Sequence, residues 1–249
     1  MTRVGIWRLS IVAGFVVLLE LACRTGLISP QVLIAPTGMA ARLVEILKSG
    51  QANDHMIETI GNVALAFVLS VVAGFAVGAL IHGLPRLRRA IDPFLASYYA
   101  LPFFAFYPLF IVLFGLGRGA IVAIGFLFGV VAMIIATLNG FDRIPRVLVK
   151  TAKVYRMGPV AAALRVKLPS AVPYLFTGIK LAIAYSFIGV IAAEFIMASS
   201  GLGYAIAYAF NNFDNRTMYA LMLFVILLVT AVNALFYGYE QRLLRRLGR

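Results

Sequence analysis

Residues 142–169 read DRIPRVLVKTAKVYRMGPVAAALRVKLP. Seven of the chain's 22 basic residues stand here, Arg143, Arg146, Lys150, Lys153, Arg156, Arg165 and Lys167, against a single acid, Asp142. Long apolar runs, 120–138 and 174–197, flank the segment. So many charges cannot lie in hydrocarbon, so the segment is a loop outside a bilayer and its flanks are spans. The loop also has helical periodicity. Val147, Leu148, Thr151, Ala152 and Tyr155 share one face, and Arg146, Lys150 and Lys153 the opposite one. Gly158-Pro159 then interrupts the helix, because glycine suits the end of one helix and proline the first turn of the next. A second short helix runs to about Lys167, and Leu168-Pro169 returns the chain to the membrane. A loop that only joined two spans would need neither helix. This one reads as a handle for a cytoplasmic partner.

The composition agrees with a membrane protein: 63% hydrophobic, 12% charged, mean hydropathy +0.98. The expectation is an all-α polytopic chain forming one transmembrane domain over 1–249, with about six spans. They fall at 6–22, 59–81, 93–115, 120–138, 174–197 and 217–237, with the loop at 142–169. The N-terminus has the look of a signal peptide, with Arg3 and Arg8 before an apolar run. Glu20 stands where a processing site needs an apolar residue, so the segment reads as a retained first span.

With the N-terminus inside, sixteen of the 22 basic residues fall on the inner side. Five fall outside, and Lys180 lies in a span. Both termini are therefore expected in the cytoplasm. The inner side then carries the whole net charge of +13, which topology and anionic lipid explain without any nucleic-acid partner.

Other features refine the spans. Pro36 opens a short helix with an apolar stripe of Met39, Leu43, Ile46 and Leu47, expected on the membrane or against a neighbouring span. Gly74 with Gly78, and Gly125 with Gly129, have the spacing that permits close helix packing. Pro102 and Pro108 make the segment 93–115 irregular, and aromatic residues crowd around them. Freed backbone groups at that depth either pack inside protein or line a wet passage. Tyr98, Phe103, Tyr107, Ser186 and Glu194 are the candidates for lining a pathway. Glu194 has a second reading, as a carboxylate hydrogen-bonded to the polar turn that follows it. Lys180 is expected to extend towards the cytoplasmic headgroups.

The chain has no phosphate-binding Gly-x-x-x-x-Gly-Lys-[Ser/Thr] loop. Its single Cys23 excludes an internal disulfide, and His55 and His82 are too far apart in the chain to suggest a metal cluster. No catalytic set and no metal site are expected. A self-sufficient secondary transporter, or an intramembrane enzyme using Glu194 or Asp142, are the competing readings.

The loop and its flanks resemble the permease subunits of binding-protein-dependent ABC importers, whose cytoplasmic loop follows an acidic triplet, glycine, then Leu-Pro pattern. Val166-Lys167-Leu168-Pro169 matches the close of that pattern. The opening departs from it: Lys150-Thr151-Ala152 stands at the triplet, Arg156 at the glycine, and Gly158-Pro159 follows two residues late. Further matches run in order through Asp92-Pro93, Leu101-Pro102, Ala105, Pro108-Leu109, Gly115-Leu116-Gly117, Asn139-Gly140, Pro173, Thr177-Gly178, Ala193-Glu194-Phe195 and Ser199-Ser200-Gly201-Leu202-Gly203-Tyr204. They cover residues 30–245 and look like the nitrate/sulfonate/taurine group.

The resemblance implies a type I importer permease in the inner membrane. Two such subunits, in a homodimer, would surround a pathway for a small anion. Two ATP-binding subunits, holding the ATP and Mg, would grip the loops, and a periplasmic binding protein would deliver the solute. The resemblance places Lys150, Thr151, Ala152, Tyr155, Arg156, Met157, Gly158 and Pro159 in the coupling loop, with Tyr155, Arg156 and Met157 filling a groove on the ATPase.

Overall fold

The computed structural model describes residues 3–29 and 31–246, so the last residues of the basic tail lie outside it. Among the described residues, every regular element is helical. In chain order they are α1 (Arg3–Arg24), α2 (Pro36–Ser49), α3 (Asn53–Gly83), α4 (Pro85–Ser97), α5 (Tyr107–Phe114), α6 (Arg118–Asp142), α7 (Arg146–Val154), α8 (Pro159–Ala162), α9 (Leu168–Met197), α10 (Leu202–Asn211) and α11 (Asn215–Arg246). Among the described residues, four helical stretches are long and apolar enough to cross a membrane: Asn53–Gly83, Arg118–Asp142, Pro159–Met197 and Asn215–Arg242.

Helices α3, α6 and α9 form the centre, with α6 the most enclosed. Small residues let the backbones meet. A methyl group added at Gly74 would stand 2.7 Å from Met133, and one at Gly78 would stand 2.8 Å from Thr137, which places this pair of α3 against α6. Gly129 of α6 lies between the hydroxyls of Ser70 and Ser186, each 2.7 Å from such a methyl. Gly189 of α9 sits directly on the backbone of Gly125, 2.8 Å away by the same measure. Lipid offers apolar groups no reason to leave it, so close van der Waals contact of this kind is what holds the helices together. The stripe of α2 finds a protein neighbour: Leu43 and Ile46 are buried against Leu202, Ile206, Met218 and Leu221 of α10 and α11.

Two stretches differ from expectation. The segment 93–115 is more broken than a kinked span. It comprises the end of α4, 3₁₀ turns at Tyr98–Ala100 and Phe103–Phe106, and the eight-residue α5. Pro102 forces Leu101 into an extended conformation (φ −77°, ψ 127°), which ends one helix, while Pro108 sits in the first turn of α5, where its missing N–H costs nothing. The opposite surprise lies at Leu168-Pro169, where a boundary was expected. Here the helix runs on, and α8, a π turn at Ala163–Lys167 and α9 make one continuous rod of 39 residues, Pro159–Met197. The wider π turn accommodates Pro169, which cannot donate a backbone bond to the preceding turn.

Candidate functional site

The loop between α6 and α9 presents apolar side chains to the outside. Of the face drawn from periodicity, only Ala152 is buried, at 5% exposure, and Leu148 is partly covered. Val147, Val154 and Tyr155 stand 71%, 80% and 76% exposed, and Val160 beyond the break is 69% exposed. Lys150, Thr151, Arg156, Gly158 and Pro159 are also exposed, and Met157 is half-buried. Thr151 gives its hydroxyl proton to the carbonyl of Val147, 3.0 Å away in its own helix. Of the eight loop residues expected at the coupling site, six are exposed, Met157 is half-buried and Ala152 is buried.

The turn at the end of α7 explains the departure at Arg156. Met157 N–H reaches back to the Ala152 carbonyl at 3.0 Å and Arg156 N–H to Lys153 at 2.9 Å, closing the helix end around a residue with φ +50°. Glycine is the usual occupant of such a position. Arg156 takes the same left-handed conformation with a side chain attached, and it projects that guanidinium into solvent.

The five pathway candidates divide. Tyr98 and Phe103 pack ring against ring, 4.5 Å between centroids, with Phe128 of α6 beside Phe103. Tyr107 is exposed at the start of α5. Ser186 and Glu194, by contrast, are completely enclosed at 0% exposure, so neither faces an aqueous route in this conformation. Ser186 lies in the packed seam opposite Gly129.

Glu194 is the centre of a polar knot. Its Oε2 accepts from the Thr59 hydroxyl at 2.7 Å and the Gly203 N–H at 3.1 Å, and its Oε1 accepts from the Asn62 amide at 3.1 Å. Thr59 in turn accepts the Leu202 N–H at 2.7 Å, and His55 Nδ1 accepts the Gly201 N–H at 3.1 Å. The Gly201-Leu202-Gly203 motif is what allows this wrapping. A Cβ at Gly201, whose φ is +99°, would collide with the carboxyl of Glu194, and one at Gly203 would collide with the Ile191 carbonyl. The polar-turn reading of Glu194 is therefore the one the geometry follows, with α3 supplying two further donors. Thr59 and Asn62 escape sequence reasoning because they lie 135 and 132 residues from Glu194. Their only sign is a row of small and polar residues, Thr59, Asn62, Ala66 and Ser70, spaced along one face of an apolar helix.

Lys180 also has a different partner from the one expected. Instead of reaching for headgroups, its ammonium pairs with Glu240 of α11 at 2.5 Å. An intramembrane charge costs least when it is matched within the protein. Among the described residues, no three His, Cys, Asp or Glu side chains gather as a metal site would require.

Four stretches long and apolar enough to cross a bilayer, closely packed through small residues, define a multi-pass helical membrane protein. Residues 70–249 match the family of binding-protein-dependent transport system inner membrane components, and the chain belongs to that family. It is 31% identical over 173 residues to the nitrate import permease protein NrtB of Leptolyngbya laminosa, covering 70% of this chain but only 62% of that relative. A putative aliphatic sulfonates transport permease protein, SsuC of Bacillus subtilis, is 31% identical over 184 residues, 73% of this chain and 66% of its own length. A probable ABC transporter permease protein of Brucella melitensis is 28% identical over 212 residues, covering 85% and 86%. In three dimensions the fold is similar to a chain of the MetNI methionine ABC transporter in an inward-facing conformation, with TM-score 0.66, 18% identity, and 76% of this chain and 94% of that one covered.

Proposed function

We propose that this inner-membrane chain is the permease subunit of an ABC importer for a small anion. The observation that carries the reading is the uncovered strip on the loop, Val147, Val154, Tyr155 and Val160, set among Arg146, Lys150, Lys153 and Arg156. Four exposed apolar side chains on a structured pair of helices suit a protein groove, and the surrounding cations suit an acidic rim around it. A separate ATP-binding subunit supplies that groove, with the loop on the cytoplasmic side. The ATP and Mg belong to that partner, two copies of which serve two copies of this chain. A periplasmic binding protein delivers the solute. Nitrate and aliphatic sulfonates are named for the relatives, and a solute of that size and charge is our proposal for this chain, with taurine among the sulfonates.

The test uses vesicles holding this chain, its ATPase and its binding protein. Replacing Tyr155 and Met157 together by Ala is expected to weaken ATPase association by about 2 kcal/mol, roughly thirtyfold, since a buried aromatic anchor at an interface has that value. ATP-driven uptake should fall with it. Unchanged uptake with an unchanged complex would overturn the reading, as would transport by this chain alone with no ATPase present.

A further inference from the structure

At the loop end of the bundle, α3, α4 and α6 meet on one carboxylate. Asp142 is the last residue of α6, just before the loop. Arg88 of α4 approaches it with both terminal nitrogens, Nη1 to Oδ1 at 2.9 Å and Nη2 to Oδ2 at 2.7 Å. His82, in the last turn of α3, brings Nδ1 within 3.3 Å of Oδ1. Arg88 Nε also faces Asp92, one turn along α4, at 3.4 Å. The residues on either side of Asp142 are anchored too. The Phe141 ring packs on His82 and Phe75 of α3, with centroids 5.2 and 6.3 Å apart, and the Arg143 guanidinium lies over the Tyr174 ring of α9, 5.4 Å from its centre. Three consecutive residues at the root of the loop therefore hold three other helices.

The Arg88–Asp142 pair is partly exposed, at 24% and 41%, so its value does not lie in stability: such pairs contribute about 0–1 kcal/mol. Its value is geometric. A two-pronged guanidinium–carboxylate contact fixes orientation as well as distance. Helix α4 otherwise meets the bundle through Leu87, Ile91 and Leu95, laid on Ile81, Val130, Ile134 and their neighbours. Apolar contact of that kind is non-directional and sets no register by itself. Burial alone would lower the Arg88 pKa, but the hydrogen bond and charge of Asp142, with Asp92, outweigh it and raise the value.

We propose that Arg88 and Asp142 are a joint, through which movement of the loop is passed to α4 and on to the broken segment from Tyr98 to Phe114. The two side chains travel together through the transport cycle as one body. They are positioning residues: neither needs to touch solute or nucleotide. The proposal rests on the reading of the loop as the element an ATPase moves, and it adds α4 to the parts of the membrane domain that receive that movement.

The experiment measures ATP hydrolysis and solute uptake together in vesicles containing the full transporter. The unaltered protein is assayed first; if it shows no ATP-dependent uptake, the reading of the loop fails and this proposal with it. With that established, Arg88→Ala is expected to keep its ATPase partner and its hydrolysis, while the ATP spent per solute rises about tenfold. The exchange of charges, Arg88→Asp with Asp142→Arg, should restore most of the ratio. In a second arm, with Cys23→Ala, the pair Arg88→Cys and Asp142→Cys is joined by a short bis-maleimide, which forms a thioether with each thiol, and uptake should survive the cross-link. An unchanged ratio in Arg88→Ala would overturn the joint. So would an equal fall of hydrolysis and uptake that the charge exchange does not repair, or a cross-linked protein that no longer transports.

Discussion

The two ends of the rod Pro159–Met197 follow opposite rules. At one end Glu194 is wholly buried, and every hydrogen bond it accepts comes from within the chain. At the other, Val154, Tyr155 and Val160 are left bare beside a ring of cations. A buried carboxylate is tolerated only when donors surround it, so the Glu194 end is held to arrangements that keep Thr59, Asn62 and Gly203 within reach. Bare apolar side chains set among cations have no such internal solution, and the proposed docking of an ATP-binding subunit is what would cover them. The difference separates an end whose carboxylate is satisfied within the chain from an end whose apolar side chains are left bare.

The largest expected effect tests the satisfied end. Glu194→Ala strands the donors of Thr59, Asn62 and Gly203 and should cost about 3–5 kcal/mol, read as a drop in thermal stability in detergent. Tyr155→Ala, at 76% exposure, should shift the same midpoint by less than about 0.5 kcal/mol. Equal losses at the two sites would erase the contrast.

A glycine pair sharpens it at smaller scale. Gly203→Ala drives a methyl into the Ile191 carbonyl and should destabilise by about 1–3 kcal/mol. Gly158→Ala meets nothing within 4 Å at a negative φ, and should be neutral or gain about 0.4–1 kcal/mol by restricting the unfolded chain. Unfolding curves of the two variants side by side decide the point.

The smallest effect concerns acid. Asp214 precedes α11 and accepts the Thr217 N–H at 3.1 Å. Burial acts to raise its pKa, but hydrogen bonds from the Thr217 side chain and backbone, the charge of Arg42 and the Arg216 N–H together hold it below its ordinary 3.8. A lowered carboxyl contributes stability that is present above its unfolded value and lost as pH falls through the folded one. Asp214→Asn should therefore lose a little stability near neutrality and show a flatter decline below about pH 4. Parallel acid-unfolding curves would exclude this role.

Much of this was legible from residues alone, because the signals are local. The loop helix follows from the spacing of Val147, Leu148 and Ala152, the start of the next helix from Gly158-Pro159, and the irregularity after Ser97 from Pro102 and Pro108; the left-handed turn at Arg156 that closes the first helix had no such signal. The close-packing glycines could be recognised, but their partners could not, since Gly125 meets Gly189 only once the helices are assembled. Continuity through Pro169 was hidden because a π turn has no residue signature of its own. The pairs Glu194 with Thr59 and Lys180 with Glu240 depend on which faces of distant helices turn towards each other. Periodicity gives a face but not its neighbour.

The unbroken helix Pro159–Met197 has one further consequence. At 1.5 Å per residue its path is about 58 Å, close to twice the roughly 30 Å of hydrocarbon in a bilayer. A seesaw of that length, pivoting at its middle, swings each tip by about 2.5 Å for five degrees of tilt. Glu194 rides three residues from one tip and Pro159 forms the other. If the helix tilts as one body, a displacement the size of a hydrogen bond at Pro159 is matched at the other tip, with the polar knot as its passenger.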